Sequence, residues 1–329
     1  MKILIIRFSS IGDIVLTTPV IRCIKQQVPG AELHYLTKSS FRTILEHNPY
    51  IDHLHLLEDN LDVAISNLQH YQFDYIIDLH HNLRSMRVKR GLQAKAFAFN
   101  KLNIEKWLLT ALKINRLPAV HIVDRYLATA APLGVKNDGR GLDYFIGPDD
   151  YTRPEDLPAT HRAGYIAVVI GAALPTKKLP IDKLKDLCHR IQHPMILLGG
   201  PEDAADGDII SRIDPAKIYN ACGRFKLNES ADLVRMAKLV VTHDTGLMHV
   251  AAAFRRPIIS LWGNTVPAFG MTPYYPEPAP RHQAFEVTGL RCRPCSKIGH
   301  RRCPKGHFNC MNQLPIAEIA ATVHQWLGH

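Results

Sequence analysis

An apolar β-like run, Leu239 to Val241, meets the polar turn His243-Asp244-Thr245-Gly246, and a helix of small residues follows, so that residues 240–253 read VVTHDTGLMHVAAA. A strand-to-helix corner of this kind presents free backbone N–H groups, and the helix N-terminus favours a phosphate. Asp244 or Thr245 can cap the helix, Gly246 lets a ligand approach the backbone, and His249 lies one turn inward on the same face. The same residues also suit a plain capped helix in an α/β sheet. His243, Asp244 and His249 do not share one helical face, which argues against a metal there.

Similar corners recur. The loop Phe8-Ser9-Ser10-Ile11-Gly12-Asp13 follows the run KILIIR. Asp13, at or near a helix N-terminus, reads either as a cap or as a general base for an acceptor hydroxyl, with the helix dipole favouring its charged form. Residues 171–180, GAALPTKKLP, place Thr176, Lys177 and Lys178 before a helix, where they could neutralise a diphosphate. Pro201-Glu202-Asp203 follows MILLGG, where a carboxylate suits ribose hydroxyls. Ala221-Cys222-Gly223-Arg224-Phe225 precedes another helix. His80-His81 read either as lining an acceptor side or as a surface turn.

The elements that must position these loops alternate twice. In the first half, Lys2 to Arg7, Glu32 to Thr37 and Phe73 to Leu79 read as strands. Asp13 to Val28, Phe41 to His47, Leu102 to Lys113 and Ile122 to Leu133 read as helices. A Pro- and Asp-rich stretch, residues 147–161, marks the break. The pattern restarts with strands at Tyr165 to Ile170, Met195 to Leu198, Leu239 to Val241 and Pro257 to Trp262, and helices at Pro180 to Ile191 and Leu227 to Ala237. This alternation predicts an α/β protein of two Rossmann-like domains, 1–155 and 156–329, facing across a cleft, each with a parallel sheet. A late cysteine cluster and a C-terminal helix belong to the second.

The chain has 329 residues, 46% hydrophobic and 21% charged, which fits a soluble protein with ample core. The opening apolar run is too short for a signal peptide, and no stretch of about 20 apolar residues spans a membrane, so a cytoplasmic location is the expectation. Seven cysteines fit a reducing compartment. The net charge is +10, and residues 84–113 carry Arg84, Arg87, Lys89, Arg90, Lys95, Lys101, Lys106 and Lys113 against Glu105 alone. Such a stretch suits an anionic partner (nucleic acid, an acidic membrane surface or a phosphorylated glycan) or a solvated helix face.

Several of these strings together resemble the heptosyltransferases of glycosyltransferase family 9, which build the inner core of lipopolysaccharide. They are Ser9 to Asp13, Lys177-Lys178-Leu179-Pro180, Gly199-Gly200-Pro201-Glu202-Asp203, Asp244-Thr245-Gly246-Leu247-Met248-His249 and the late cysteines. The resemblance runs nearly end to end. It implies the glycosyltransferase type B architecture, an inverting transfer, a C-terminal domain for the nucleotide sugar (usually ADP-heptose) and an N-terminal domain for the acceptor. It makes Asp13 the base and brings Thr176 and Lys177 to the diphosphate. Glu202 then meets the ribose, Phe225 the adenine, and Asp244, Thr245, Gly246 and His249 the phosphates and sugar. Ser10, Gly12, Arg84 and Arg87 fall to the acceptor side. The family often has Trp where this chain has Leu179, so no stacking role is assigned there.

Cys292, Cys295, Cys303 and Cys310 are spaced C-x2-C-x7-C-x6-C, with His300 and His307 among them. Four thiolates can close a structural zinc shell, and reduced thiols packed in a loop are the other reading. No cofactor is required by the chemistry that the resemblance implies. The expected partners are a nucleotide-sugar donor and a phosphorylated glycolipid acceptor, with peripheral contact to the anionic cytoplasmic face of the inner membrane and no nucleic acid. Within the enzyme class the alternative is the same fold using another nucleotide sugar; the competing class is a non-enzymatic nucleic-acid or zinc-binding protein, resting on charge and cysteines, which leaves the Asp13 loop and the phosphate-type corners without a role.

Overall fold

KILII, at the start of the chain, is buried on both faces, as a central strand of a parallel sheet must be. In the computed structural model, which describes residues 1–328, it forms β1 (Lys2–Ile6). The chain continues through α1 (Ile11–Val15), α2 (Thr18–Gln27), β2 (Glu32–Lys38), β3 (His53–Leu57), α3 (Leu61–Gln69), β4 (Tyr75–Asp78), α4 (Leu83–Leu92) and β5 (Lys95–Ala98). Five parallel strands lie in the order β3-β2-β1-β4-β5. The strand order reverses direction between β1 and β4, which makes that pair the switch point where an open sheet offers a ligand crevice.

The first compact unit is residues 1–102 with 120–145, and the second is 103–119 with 146–329. The contiguous division at residue 155 drawn from the Pro-rich stretch therefore differs from this one. Residues 103–119, beginning with α5 (Asn103–Trp107), join the second unit because Leu109 and Leu117 pack with Val266 and Phe269. The chain returns to the first unit with α6 (Ile122–Ala130). There, wholly buried Arg22 of α2 holds the following segment. Its Nε and Nη2 donate to Asp138 at 2.7 and 2.8 Å, its Nη2 also reaches the Gly141 carbonyl at 2.9 Å, and Nη1 pairs with Asp143.

The second unit runs β6 (Ile166–Val169), α7 (Ile181–Arg190), β7 (Met195–Leu198), α8 (Ala204–Ser211), β8 (Ile218–Asn220), α9 (Leu227–Met236), β9 (Leu239–His243), α10 (Gly246–Ala253), β10 (Ile258–Trp262), β11 (His282–Glu286), α11 (Asn309–Asn312) and α12 (Ile316–Leu327). Its six parallel strands lie in the order β11-β10-β9-β6-β7-β8, so the reversal falls between β6 and β9.

Some expected elements differ. The helix read over Asp13 to Val28 is two helices, with Leu16 and Thr17 at the break and Pro19 in the first turn of the second. Phe41 to His47 is a 3-10 turn over Ser39–Ile44 followed by loop, too short to pay back helix nucleation. The basic stretch 84–113 is not one face. It divides into α4, β5 and α5, and its last part belongs to the second unit. Among the described residues, no helix is long and apolar enough to cross a membrane.

Candidate functional site

In the first unit, Asp13 is the third residue of α1, inside a short turn rather than at the head of a long helix. Ser10 closes a capping box with it. The Ser10 hydroxyl donates to Asp13 Oδ2 at 2.8 Å and the Ser10 N–H at 3.3 Å. Asp13 Oδ1 pairs with Arg7 Nη2 at 2.8 Å. Arg7, by sequence no more than the end of a strand, organises this turn. Its Nε donates to the Ser9 carbonyl at 2.7 Å, and its Nη1 to the Leu79 carbonyl at 2.6 Å and the Tyr126 hydroxyl at 2.9 Å. The loops after β1 and β4 are thus joined by one guanidinium at the switch point. Asp13 keeps a quarter of its side chain exposed, so a hydroxyl can reach it.

The neighbouring turn is built by buried Asp78. It accepts from the N–H groups of His80 and His81 at 3.1 and 2.7 Å, from Ser85 Oγ at 2.8 Å, and pairs with Lys89 at 2.8 Å. His80 sits edge-on to Phe8, ring centroids 5.0 Å apart, and burial with Arg7 nearby lowers its pKa to about 4. Arg84 and Arg87 are exposed on α4, with Arg87 paired to Asp62 at 2.6 Å.

In the second unit, the loop after central β6 carries both lysines, and its two neighbours receive one each. Lys177 Nζ lies 2.7 Å from Asp244 Oδ2 and 3.2 Å from the Asp244 carbonyl, in the loop after β9. Lys178 pairs with Asp203, in the loop after β7. Asp203 is buried, unlike exposed Glu202 beside it, and accepts from the Gly200 N–H at 2.9 Å. A Cβ on Gly171 or Gly199 would lie 2.4 or 2.7 Å from Asp203 Oδ2, so both positions require glycine. Sequence reasoning missed Arg7 as an anchor, and it placed a carboxylate at Glu202-Asp203 for a ribose without showing that Asp203 is instead a buried anchor, although Gly171 and Gly199-Gly200 signalled close packing there.

Thr245 is the extended N-cap of α10, and its hydroxyl lies 3.3 Å from that of Thr242. The Thr265 hydroxyl donates to Asp244 Oδ2 at 2.9 Å, so Asp244 holds Lys177 and the loop after β10 together beside the first N–H groups of α10. His243 and His249 are both buried. His243 Nε2 accepts the Leu179 N–H at 2.9 Å, and burial lowers its pKa to about 4. Leu179 is buried in the core of this unit, so it presents no side chain to a ligand. Phe225 is half-buried on the loop before α9.

The cysteine-bearing loop braces this corner. Thr176, expected at the diphosphate, is instead buried, because its hydroxyl donates to the His300 carbonyl at 2.9 Å and accepts the His300 N–H at 2.7 Å. Arg293 donates to the carbonyls of Gly263 at 2.5 Å and Thr265 at 2.9 Å and pairs with Glu286 at 2.6 Å. Cys292, Cys295, Cys303 and Cys310 are free thiols. Burial pushes the Cys310 thiol up to about 11. The four sulfurs do not converge into a ligand shell. Among the described residues, the one group of three His, Cys, Asp or Glu ligand atoms lying mutually within 4.8 Å is Glu32, His34 and His53. A zinc ion held by the cysteines requires this loop to tighten.

Against known proteins, residues 64–304 match the family model of glycosyltransferase family 9 (heptosyltransferase). The chain is 26% identical over 298 residues to lipopolysaccharide heptosyltransferase 1 of Campylobacter coli, covering 80% of this chain and 84% of the relative. It is 25% identical over 332 residues to lipooligosaccharide heptosyltransferase 2 of Haemophilus influenzae, covering 91% and 93%. Its fold is similar to that of the E. coli heptosyltransferase WaaC solved with ADP-2-deoxy-2-fluoro heptose, with a TM-score of 0.70 at 19% identity over 99% of each chain.

Proposed function

The chain belongs to glycosyltransferase family 9, the heptosyltransferases, and from that premise we propose that it transfers heptose from ADP-heptose to a phosphorylated lipopolysaccharide inner-core acceptor with inversion. Glycosyl transfer follows from family membership. The donor reading is supported by the C. coli relative being a lipopolysaccharide heptosyltransferase and by the nucleotide sugar in the E. coli structure.

The observation that carries the donor site is the pairing of Lys177 with Asp244 at the β6–β9 switch point, beside the N-terminus of α10. In this reading, Lys177 and the N–H groups after Thr245 and Gly246 take the diphosphate. Asp244 keeps the lysine aimed, Thr176 fixes the loop that carries it, and His249 lies under the sugar. Glu202 takes the ribose and Phe225 the adenine. On the acceptor side, Asp13, held by Arg7 and Ser10, removes the hydroxyl proton, while Gly12 leaves room for the incoming group and Arg84 and Arg87 meet acceptor phosphates. The hydroxyl oxygen forms the new bond to the anomeric carbon from the face opposite ADP. The bond to ADP breaks, and its electron pair leaves with the diphosphate. One displacement inverts the centre.

Lys177 and a helix N-terminus supply the countercharge that other transferases draw from Mg²⁺, so no metal or cofactor is assigned to the transfer. A cytoplasmic enzyme at an anionic membrane face fits exposed Ile104, Trp107 and Leu112 beside Lys106 and Lys113. The test is a thermal-shift panel of nucleotide sugars followed by transfer onto a series of truncated core acceptors. ADP-heptose should stabilise most and be consumed with inversion. Stabilisation by a uridine or guanosine sugar alone replaces the donor, and absence of transfer to every truncated core acceptor rejects the acceptor.

A further inference from the structure

The first two residues of β3 that share a face are histidines, and so is their neighbour across the sheet. His34 of β2 stands directly opposite His53, and Glu32 lies two residues before His34 on the same face. The rings of His34 and His53 stack with centroids 4.5 Å apart and planes 23° from parallel. Both Nε2 atoms lie 3.1 Å from one oxygen, Glu32 Oε1.

We infer that Glu32, His34 and His53 bind one zinc-class divalent cation that clamps the edge strand β3 to β2. Two imidazoles and a carboxylate form a borderline donor set, suited to Zn²⁺ rather than to Mg²⁺ or Ca²⁺. A tetrahedral ion with bonds of about 2.0–2.1 Å needs ligand atoms about 3.3 Å apart, close to the separations found. His53 is exposed, which leaves the fourth position to water, while His34 is fully buried.

The supporting residues are those a ligating imidazole requires. His34 Nδ1 lies 2.8 Å from His55 Nε2, with the two rings coplanar within 3°. In the tautomer that donates this bond, the Nε2 lone pair of His34 is free for a metal. Tyr71 and Phe73 stand edge-on to the His34 ring at 4.8 and 4.9 Å and fix its plane. Lys2 is the nearby charge that opposes a cation. The site sits at the amino ends of β2 and β3, whereas the Asp13 turn follows the carboxyl end of β1. It therefore has no part in the transfer step; its effect is stability of the first unit.

The test is calorimetric Zn²⁺ titration of the tag-free full chain after chelation, because a histidine tag and the cysteine loop both compete. One binding event should survive Cys295→Ser and become at least about tenfold weaker in His53→Ala and in Glu32→Gln. His53 is exposed on an edge strand, so its replacement preserves the fold. Co²⁺ gives a second readout: visible ligand-field bands should persist in Cys295→Ser and vanish when His53→Ala is added to it. Identical isotherms for the wild type and His53→Ala, no Zn²⁺ uptake, or a Co²⁺ signal lost only with Cys295→Ser would each overturn the site.

Discussion

Arg7 and Asp13 form a 2.8 Å ion pair across the turn after β1, with Arg7 also bonded to the Leu79 carbonyl of the adjoining loop. The carboxylate is therefore held at the switch point of the first sheet by the guanidinium of Arg7, a residue only 8% exposed. A capping carboxylate needs only the Ser10 contacts. The Arg7 contact adds a fixed orientation, which a group meant to meet an acceptor hydroxyl needs.

Asp13→Asn separates the two roles. The single oxygen of asparagine can still accept from Ser10, but its amide nitrogen then faces Arg7 Nη2, so the ion pair is lost; the melting temperature should fall modestly while donor affinity, set by loops of the second unit, should persist. Turnover should fall by about 10²- to 10⁴-fold, the usual cost of losing a general base. Turnover within threefold of the wild type, at unchanged donor affinity, would reject the base.

Lys177 and Lys178 are consecutive but serve different loops, which makes them mutual controls. Lys177→Ala should weaken ADP and ADP-sugar binding more than adenosine binding, since it removes a charge aimed at phosphate. Lys178→Ala uncouples buried Asp203 and should instead lower the melting temperature, because a charge left buried without its partner costs several kcal/mol. Calorimetry with the three ligands, beside thermal melts, reads both. Equal losses for ADP and adenosine in Lys177→Ala would point to a fold defect.

The parts of the site that the sequence displayed are those built from contiguous strings. The Asp244-Thr245-Gly246 corner, the two lysines and the Asp13 turn each lie within one loop at a strand's carboxyl end, so residue type and spacing suffice. The missing parts depend on register and long-range packing. Arg7 looks like the last residue of a strand until Leu79 and Tyr126 are beside it. Glu202 and Asp203 are adjacent acids, and only the fold decides which one turns inward. The strand HLHLL was overlooked because its face is made of histidines, not aliphatic residues. The strand KAFA was hidden in a basic run. The exchange of residues 103–119 between units rests on Leu109 and Leu117 meeting residues about 150 positions later in the chain.

His243 makes acid a specific threat to the second unit. Its folded pKa is about 4, below an ordinary value near 6.5, because burial disfavours the charged ring. Above pH 6.5 both folded and unfolded states are neutral, and the full stability is present. As pH falls from 6.5 to 4, the unfolded state takes up a proton that the folded state refuses. Stability should drop by about 1.4 kcal/mol per pH unit for this one group. Burial lowers His55, His80 and His282 to about 4 as well, so their slopes carry the same sign. Urea midpoints across this range should show a shallower slope in His243→Gln than in the wild type, and equal slopes would contradict the assignment.

The basic helix α4 tests the acceptor half without touching the donor loops. Arg84, Arg87 and Arg90 are exposed there, and Arg87 is partly neutralised by Asp62. Exposed charges act through their summed field, so Arg87→Glu alone should change acceptor KM only slightly, whereas the triple Arg84→Glu, Arg87→Glu, Arg90→Glu reverses the sign of the face. The triple variant should raise acceptor KM at low salt while leaving donor KM and melting temperature near wild type. Its penalty should shrink as ionic strength rises, because at about 0.15 M the screening length is only about 8 Å and the wild type has already lost much of its attraction. A packing defect would persist at high salt and appear in the melt. An acceptor KM unchanged at low salt would make α4 a solvated basic surface with no acceptor role.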